Sequence, residues 1–400
     1  MKFNLKLPPI PLPKFLTFKL AALVFAGLFL ASTSVLVYQT FALAKKVAGL
    51  EKEKSSFSEE LTKTSNELNE LKSQDQIKIN LGLKEEIKNI QTTYSSAVST
   101  YEDLLKLKEI TKDTAILDEL FTKILVFLSK QDYASANTNL ADLNKQIAAE
   151  EQKVTASFTI PQNVPVNNAP PGSGYSRQQV STDTGTFMVS LVAGDLGSTR
   201  VIVDTASGGT CGDNCPVLPL ATYVSRSGAY AGVNGSYFCP ATYPTCAGKT
   251  NSFDLLLMNK DKVYFNSDNN VYSNNPGVIF GSGYIRFVSA VSQWGRDTGI
   301  DSMLSNYPLL VSGGNISFGG SDDPKQGSKG NRSFVANKGS TVYIGVVHSA
   351  TVAEVARVMK AMGMENALNL DDGGSTALFS GGYKVGPGRD LPNVILFVKK

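Results

Sequence analysis

The stretch ENALNLDDGGSTALF, residues 365–379, ends an alternating apolar run on two adjacent acids, followed by two glycines and a hydroxyl. A carboxylate at the mouth of a strand can act as a base, a nucleophile or a cation ligand, and the glycines let a substrate approach the backbone. In an unbroken strand Asp371 and Asp372 point to opposite faces, whereas Asn369 shares the side of Asp371. Asp371 is therefore the candidate catalytic acid, with Asn369, Gly373, Gly374 and Ser375 as candidate substrate contacts. The same residues would also suit an acidic turn or a calcium loop, and Asp372 is the candidate ligand for a divalent cation.

Three further segments carry usable side chains. In GAYAGVNGSYF, Asn234 and Gly235 can meet a sugar hydroxyl or phosphate oxygen, and Tyr237 or Phe238 can stack on a ring, although Asn-Gly is also a common hairpin turn. Arg332 in KGNRSFVA and Arg389 in GPGRDLPNVILFV both stand where a strand begins. Two guanidinium groups in a domain otherwise low in charge point to an anion site, because their paired donors match phosphate. A serine hydrolase would have to pair Ser375 with His348, the one histidine of the chain, and there is no G-x-S-x-G elbow.

Taken in order, AGVNGSYF, YPLLVSGG, NRSFVA, a Thr-Val-Ala-Glu helix, ALNLDDGGST and GRDLPNVI resemble the phosphodiester glycosidase family over about residues 180–400. The resemblance puts the family's Asn-Gly element on Asn234 and Gly235, and its arginine strand on Arg332 and Ser333. Its glycine-rich turn falls on residues 370–375 and its late arginine on Arg389. Asp372 stands where the family commonly has glycine, and His348-Ser349-Ala350 where Asp-Gly-Arg often follows the preceding strand. The implied reaction is hydrolysis of a sugar-1-phosphodiester. A phosphodiester leaves as a weak base, so anion stabilisation by Arg332 and Arg389 replaces much of the acid half of a two-carboxylate glycosidase.

The elements that must carry these groups divide into two kinds. Only Gly27, Gly49 and Gly82 precede residue 157, and the other 32 of the 35 glycines follow it. Residues 1–19 hold four lysines and no acid, and residues 20–44 carry no charge. The most apolar part, residues 20–37, would span about 27 Å as a helix, near the hydrocarbon thickness of a bilayer. This predicts a signal-anchor with the N-terminus in the cytoplasm and the rest outside; a signal cut after Ala42-Leu43-Ala44 is the alternative.

Leu43, Val47, Leu50, Lys54, Phe57, Leu61, Thr64, Leu68 and Leu71 step by four and three, a heptad seam that makes self-association plausible. Phase is lost over residues 73–82. Three shorter apolar faces then predict a helical bundle or hairpin to residue 153, read as spacer without catalytic residues. Residues 45–155 thus form stalk and bundle, 156–176 a Pro/Asn/Gly linker, and 177–400 an exported domain. Short strand-like runs and one capped helix, TVAEVARVMKAMGM, make that domain α+β and predominantly sheet.

All four cysteines, Cys211, Cys215, Cys239 and Cys246, lie in 36 residues of the exported part. Disulfides follow, with Cys211–Cys215 and Cys239–Cys246 as the local pairing; a four-thiolate zinc site is the alternative. The net charge of +3 and the absence of a basic, aromatic-rich cluster argue against nucleic acid as partner. The expectation is a membrane-anchored hydrolase acting on a phosphorylated glycan of the cell envelope or exopolysaccharide, with no evident cofactor. The rival is a binding module on a stalk that has lost turnover.

Overall fold

The computed structural model describes residues 14–73, 75–157, 164–268 and 272–400. The basic stretch before Lys14, residue 74, residues 158–163 of the expected linker and residues 269–271 lie outside the described residues. Contacts group the chain into two compact units, one up to Lys88 and one from Asn89 to Lys400. The chain is mixed α+β, long helices first and a sheet-rich domain after them, as the glycine distribution implies.

Helix α1 (Lys14–Ser73) carries an apolar stretch from Ala22 onward that is long enough to cross a membrane. Helices α2 (Asp75–Ile110), α3 (Ala115–Ser129) and α4 (Tyr133–Ser157) stand where the apolar periodicity predicts them. From Asn89 onward they close on a core containing Leu104, Leu107, Ile124, Leu140 and Leu143, each almost wholly buried. The second half of the Pro/Asn stretch does not swing free. Val166 bridges Gln179, and the Gln178 amide donates to the carbonyls of Asn167 and Ala169. That side chain uses the backbone of a proline-rich segment as a substitute strand, and the sheet begins earlier than expected.

The largest sheet has seven strands in the order β1 (Gly174–Thr182), β2 (Gly185–Asp195), β13 (Thr341–Ala350), β12 (Gly330–Lys338), β14 (Asn366–Asp372), β10 (Leu309–Ser312) and β11 (Asn315–Ile316). A second sheet runs β16 (Tyr383–Val385), β15 (Leu378–Ser380), β4 (Ala229–Asn234), β17 (Asn393–Lys399) and β3 (Thr199–Thr205). The third runs β6 (Tyr264–Phe265), β5 (Leu257–Met258), β9 (Ser302–Ser305), β7 (Gly277–Gly281) and β8 (Tyr284–Val288). One core joins all three through Val203, Val233, Phe280, Ile344, Leu370 and Phe397.

Short helices are α5 (Leu220–Arg226), packed under the second sheet, and α6 (Pro324–Gly327). Helix α7 (Val352–Ala361) covers the outer face of the first sheet with Val355, Val358 and Met359. It starts in a capping box in which Thr351 and Glu354 satisfy each other's backbone N–H, and the chain turns off it at Gly363 with φ +73°. Both disulfides have the local pairing, Cys211–Cys215 and Cys239–Cys246, so the four thiolates do not form a zinc site.

Candidate active site

Strand β14 delivers the two acids through an irregularity. It pairs Asn369 with Phe334 and then Asp372 with Arg332, three residues on one strand against two on the other. This bulge breaks the strict alternation of an ideal strand. Asp371 and Asp372 therefore do not diverge to opposite faces: both line one 390 Å³ cavity, together with Arg332, Gly373, Gly374 and Arg389. The chain leaves the strand at Gly373, where φ is +61°, a conformation costly for any residue with a Cβ.

Asp371 is held by its backbone on both sides. Its N–H donates to the Gly235 carbonyl at 2.9 Å and its carbonyl accepts from the Asn234 amide at 2.6 Å. Its carboxyl accepts from the Asp372 N–H at 2.9 Å. Burial pushes the group up to about 8, with Asp372 adding to the rise, while the Ser375 hydroxyl, that N–H and Arg332 pull the other way. An acid that titrates near neutrality is suited to moving or holding a proton.

Asp372 belongs to the scaffold of the cavity. One oxygen accepts from the Ser333 N–H, and the other accepts from the Arg332 guanidinium at 3.1 Å, the Asn369 amide at 2.9 Å and the Tyr237 hydroxyl at 3.3 Å. Burial raises its pKa and Arg332 opposes the rise. Four donors thus surround the carboxylate that the sequence offers as a cation ligand. Among the described residues no group of three or more His, Cys, Asp and Glu is arranged to hold a metal.

Arg332 is 5% exposed and also donates to the carbonyls of Ala350 and Ser328, which leaves only an edge of the guanidinium toward the cavity. Arg389 is different. Its side chain lies over the Tyr243 ring at 5.4 Å and pairs with the carboxylate of Glu109. Burial lowers its pKa to about 10, so it stays cationic at neutral pH.

Several expected substrate contacts prove to be struts behind the wall. Asn234 is wholly buried, and its oxygen accepts from the Ser333 hydroxyl and the Ala377 N–H. A Cβ on Gly235 would collide with Asn393, so glycine there permits close approach of β4 to β17. Asn369 ties Tyr237 and Asp372 together, and Ser375 is buried beside Asp371. Tyr237 and Phe238 do line the cavity, and the Tyr237 ring packs against Tyr307 at 5.0 Å. His348 bonds Ser190 at 3.0 Å and the cavity residue Asn331 at 3.1 Å, so neither ring nitrogen is left for Ser375. Burial lowers its pKa to about 4.

The residues that the sequence gives no sign of come from the helices. Lys106 and Glu109 of α2 and Glu151 of α4 line the cavity, although the region reads as spacer. Glu102 accepts from the Thr245 N–H and hydroxyl, fastening α2 to the loop closed by Cys239–Cys246. A Cβ on Gly374 would fall on the Glu109 carboxylate. Glycine-rich backbone, Arg389 and a carboxylate thus meet at one point, where an anion already sits against donors suited to an anion.

Residues 227–398 match the model of the phosphodiester glycosidase family. The part of the chain that carries the cavity is thus similar to a family of glycosidases. No curated protein matches the chain. Similar solved structures include the zebrafish N-acetylglucosamine-1-phosphodiester alpha-N-acetylglucosaminidase catalytic domain auto-inhibited by pro-peptide, 17% identical with a TM-score of 0.45, covering 60% of this chain and 87% of that one. A hypothetical protein from Synechocystis is 13% identical with a TM-score of 0.41, and the match spans 56% of this chain and 62% of that one. An exported protein of Burkholderia pseudomallei is 13% identical with a TM-score of 0.35, covering 54% and 74%.

Proposed function

We propose that the protein is a membrane-anchored hydrolase, exposed outside the cytoplasm, that cleaves the bond between an anomeric carbon and a phosphate oxygen in a phosphorylated envelope glycan. Water adds across the C1–O bond and yields a free sugar and a phosphomonoester. The observation that carries this reading is the convergence of Asp371, Arg332 and Arg389 on one cavity of a phosphodiester glycosidase domain.

In this mechanism Asp371, once ionised, faces the anomeric centre. It stabilises the oxocarbenium-like sugar and either activates water or attacks the carbon directly. Arg389, the free edge of Arg332 and the backbone N–H groups of Gly373 and Gly374 hold the departing phosphate. Tyr237 and Tyr307 offer ring faces to the sugar. Glu109 competes with the arriving phosphate for Arg389, because two anions at one guanidinium repel each other.

The test is a screen of the full chain in detergent against sugar-1-phosphodiesters, with and without chelator, reading released sugar. Turnover abolished by Asp371→Asn supports the assignment. Tight retention of the ester by the unmodified chain with no sugar released points instead to a binding module, and loss of turnover in chelator alone would require a metal in the mechanism.

A further inference from the structure

Helix α1 presents an apolar seam that nothing in its own unit covers. Seven of its seam residues are open, from Val47 at 48% exposed to Phe57 at 72%. The seam follows the 3.5-residue period over residues 43–71, which wraps one helix on another with left-handed supercoil; a period of 3.6 would instead suit a globular core. With Val47, Lys54, Leu61 and Leu68 at one heptad position (a), the other (d) is filled by Leu43, Leu50, Phe57, Thr64 and Leu71. The Thr64 hydroxyl donates to the Glu60 carbonyl of its own helix at 2.9 Å, so it can enter a seam without an unsatisfied polar group.

We propose that α1 is one strand of a parallel two-stranded coiled coil, its partner being a second copy of this chain in register over residues 43–71. Charge complementarity selects this occupant. In a parallel pair, the residue before each a position faces the residue after the next d position of the partner helix. Here that sets Lys46 against Glu51 and Glu67 against Lys72, while Glu53 and Glu60 meet Ser58 and Ser65. Attractive pairs occur at both ends and none of these flanking pairs is repulsive, while Lys54 meets its own copy at an a position, a cost in stability that also holds the register. Reversing one helix sets Glu53 against Glu60 twice, so the antiparallel dimer loses part of the gain. A single lysine at an a position and mostly leucine at d also favour two strands over higher assemblies. The overlap is roughly 43 Å long, ample for a stable pairing. Each assembly then carries two glycosidase domains, which raises retention on a polymeric glycan beyond that on a single ester.

All four native cysteines are in disulfides, so an introduced thiol on α1 reports only on its own position. In full-length protein in detergent micelles, Leu50→Cys and Phe57→Cys should give covalent dimers under mild oxidation, and Glu59→Cys on the outer face should not. The unmodified chain should have the mass of two chains at micromolar concentration. Leu61→Asp combined with Leu68→Asp should reduce that to one chain while leaving the thermal unfolding of the C-terminal domain unchanged. Glu67→Lys should weaken association several-fold, and adding Lys72→Glu should restore it. The mass of one, three or four chains in the unmodified protein would overturn the proposal, as would cross-linking of Leu50→Cys to Leu68→Cys chains in preference to its own kind.

Discussion

The two walls of the cavity are built in opposite ways. On the sheet side, Asp371, Asp372 and Arg332 are fixed by a strand ladder, a bulge and buried donors from β4, β12 and β14. On the helical side, Glu109, Lys106 and Glu151 arrive from a bundle distant in sequence, and α2 is fastened to the loops opposite it by side-chain bonds of Glu102 and Glu109. The first wall cannot shift without breaking backbone pairing. The second is held by one ion pair, Glu109 with Arg389, worth about 0–1 kcal/mol where solvent reaches it, and by the buried Glu102 carboxylate on Thr245. Rigid chemistry faced by an exchangeable cover is what a site needs if it must exclude water and still admit a polymer end.

The sharpest way to break this contrast is Asp371→Asn. Turnover should fall by about 10²–10⁴ with the fold intact, because the amide keeps the shape and loses the charge. Steady-state release of sugar checks it, and far-ultraviolet circular dichroism checks the fold. The pH profile carries the same message. Since the ionised form is the working one and its pKa is raised to about 8, kcat/KM should climb by up to tenfold per unit as pH approaches 8 and then level. Stability should move the other way. The folded state holds this proton more tightly than the unfolded chain, so raising the pH from about 3.8 to about 8 removes stability. Thermal melts across that range would detect the slope, and Asp371→Asn should remove the share that this group contributes, leaving that of Asp372 and His348.

Next in size is the buried pair. Arg332→Met leaves Asp372 without its cation in a site only a few per cent exposed, and should destabilise the domain by about 3–5 kcal/mol in urea unfolding. Part of that should return on adding Asp372→Asn, which removes the stranded charge. If Arg332→Met alone proved neutral, the sheet wall would be less rigid than its bonds imply.

Much of the sheet wall was legible from local pattern, because it depends on short-range rules. A capped helix, strand-entrance arginines and an acid before two glycines each have a sequence mark. The division of labour between the acids was not legible, since it rests on a bulge set by pairing between strands some 40 residues apart. Asn234, Gly235 and Asn369 looked like ligands because their types suit sugars. Their neighbours in space, Ser333, Asn393 and Tyr237, turn them inward. Nothing in LLKLKEITKD, residues 104–113, distinguishes Glu109 from the other charges on an ordinary solvated helix face. Its role depends on Arg389, 280 residues away.

Glu109→Gln gives the smallest effect and the finest test of the helical wall. Glutamine preserves length and hydrogen bonding toward Arg389 but removes the negative charge that a phosphate must displace. Both side chains of the pair are about a fifth to a quarter exposed, so solvent already screens the attraction. Removing it should lower KM by up to about fivefold and leave kcat nearly unchanged, the signature of relieved ground-state competition. Raising salt should narrow the difference between variant and parent. A fall in kcat with KM unchanged would instead place Glu109 among the groups that act in the transition state, and the two walls would then share the chemistry.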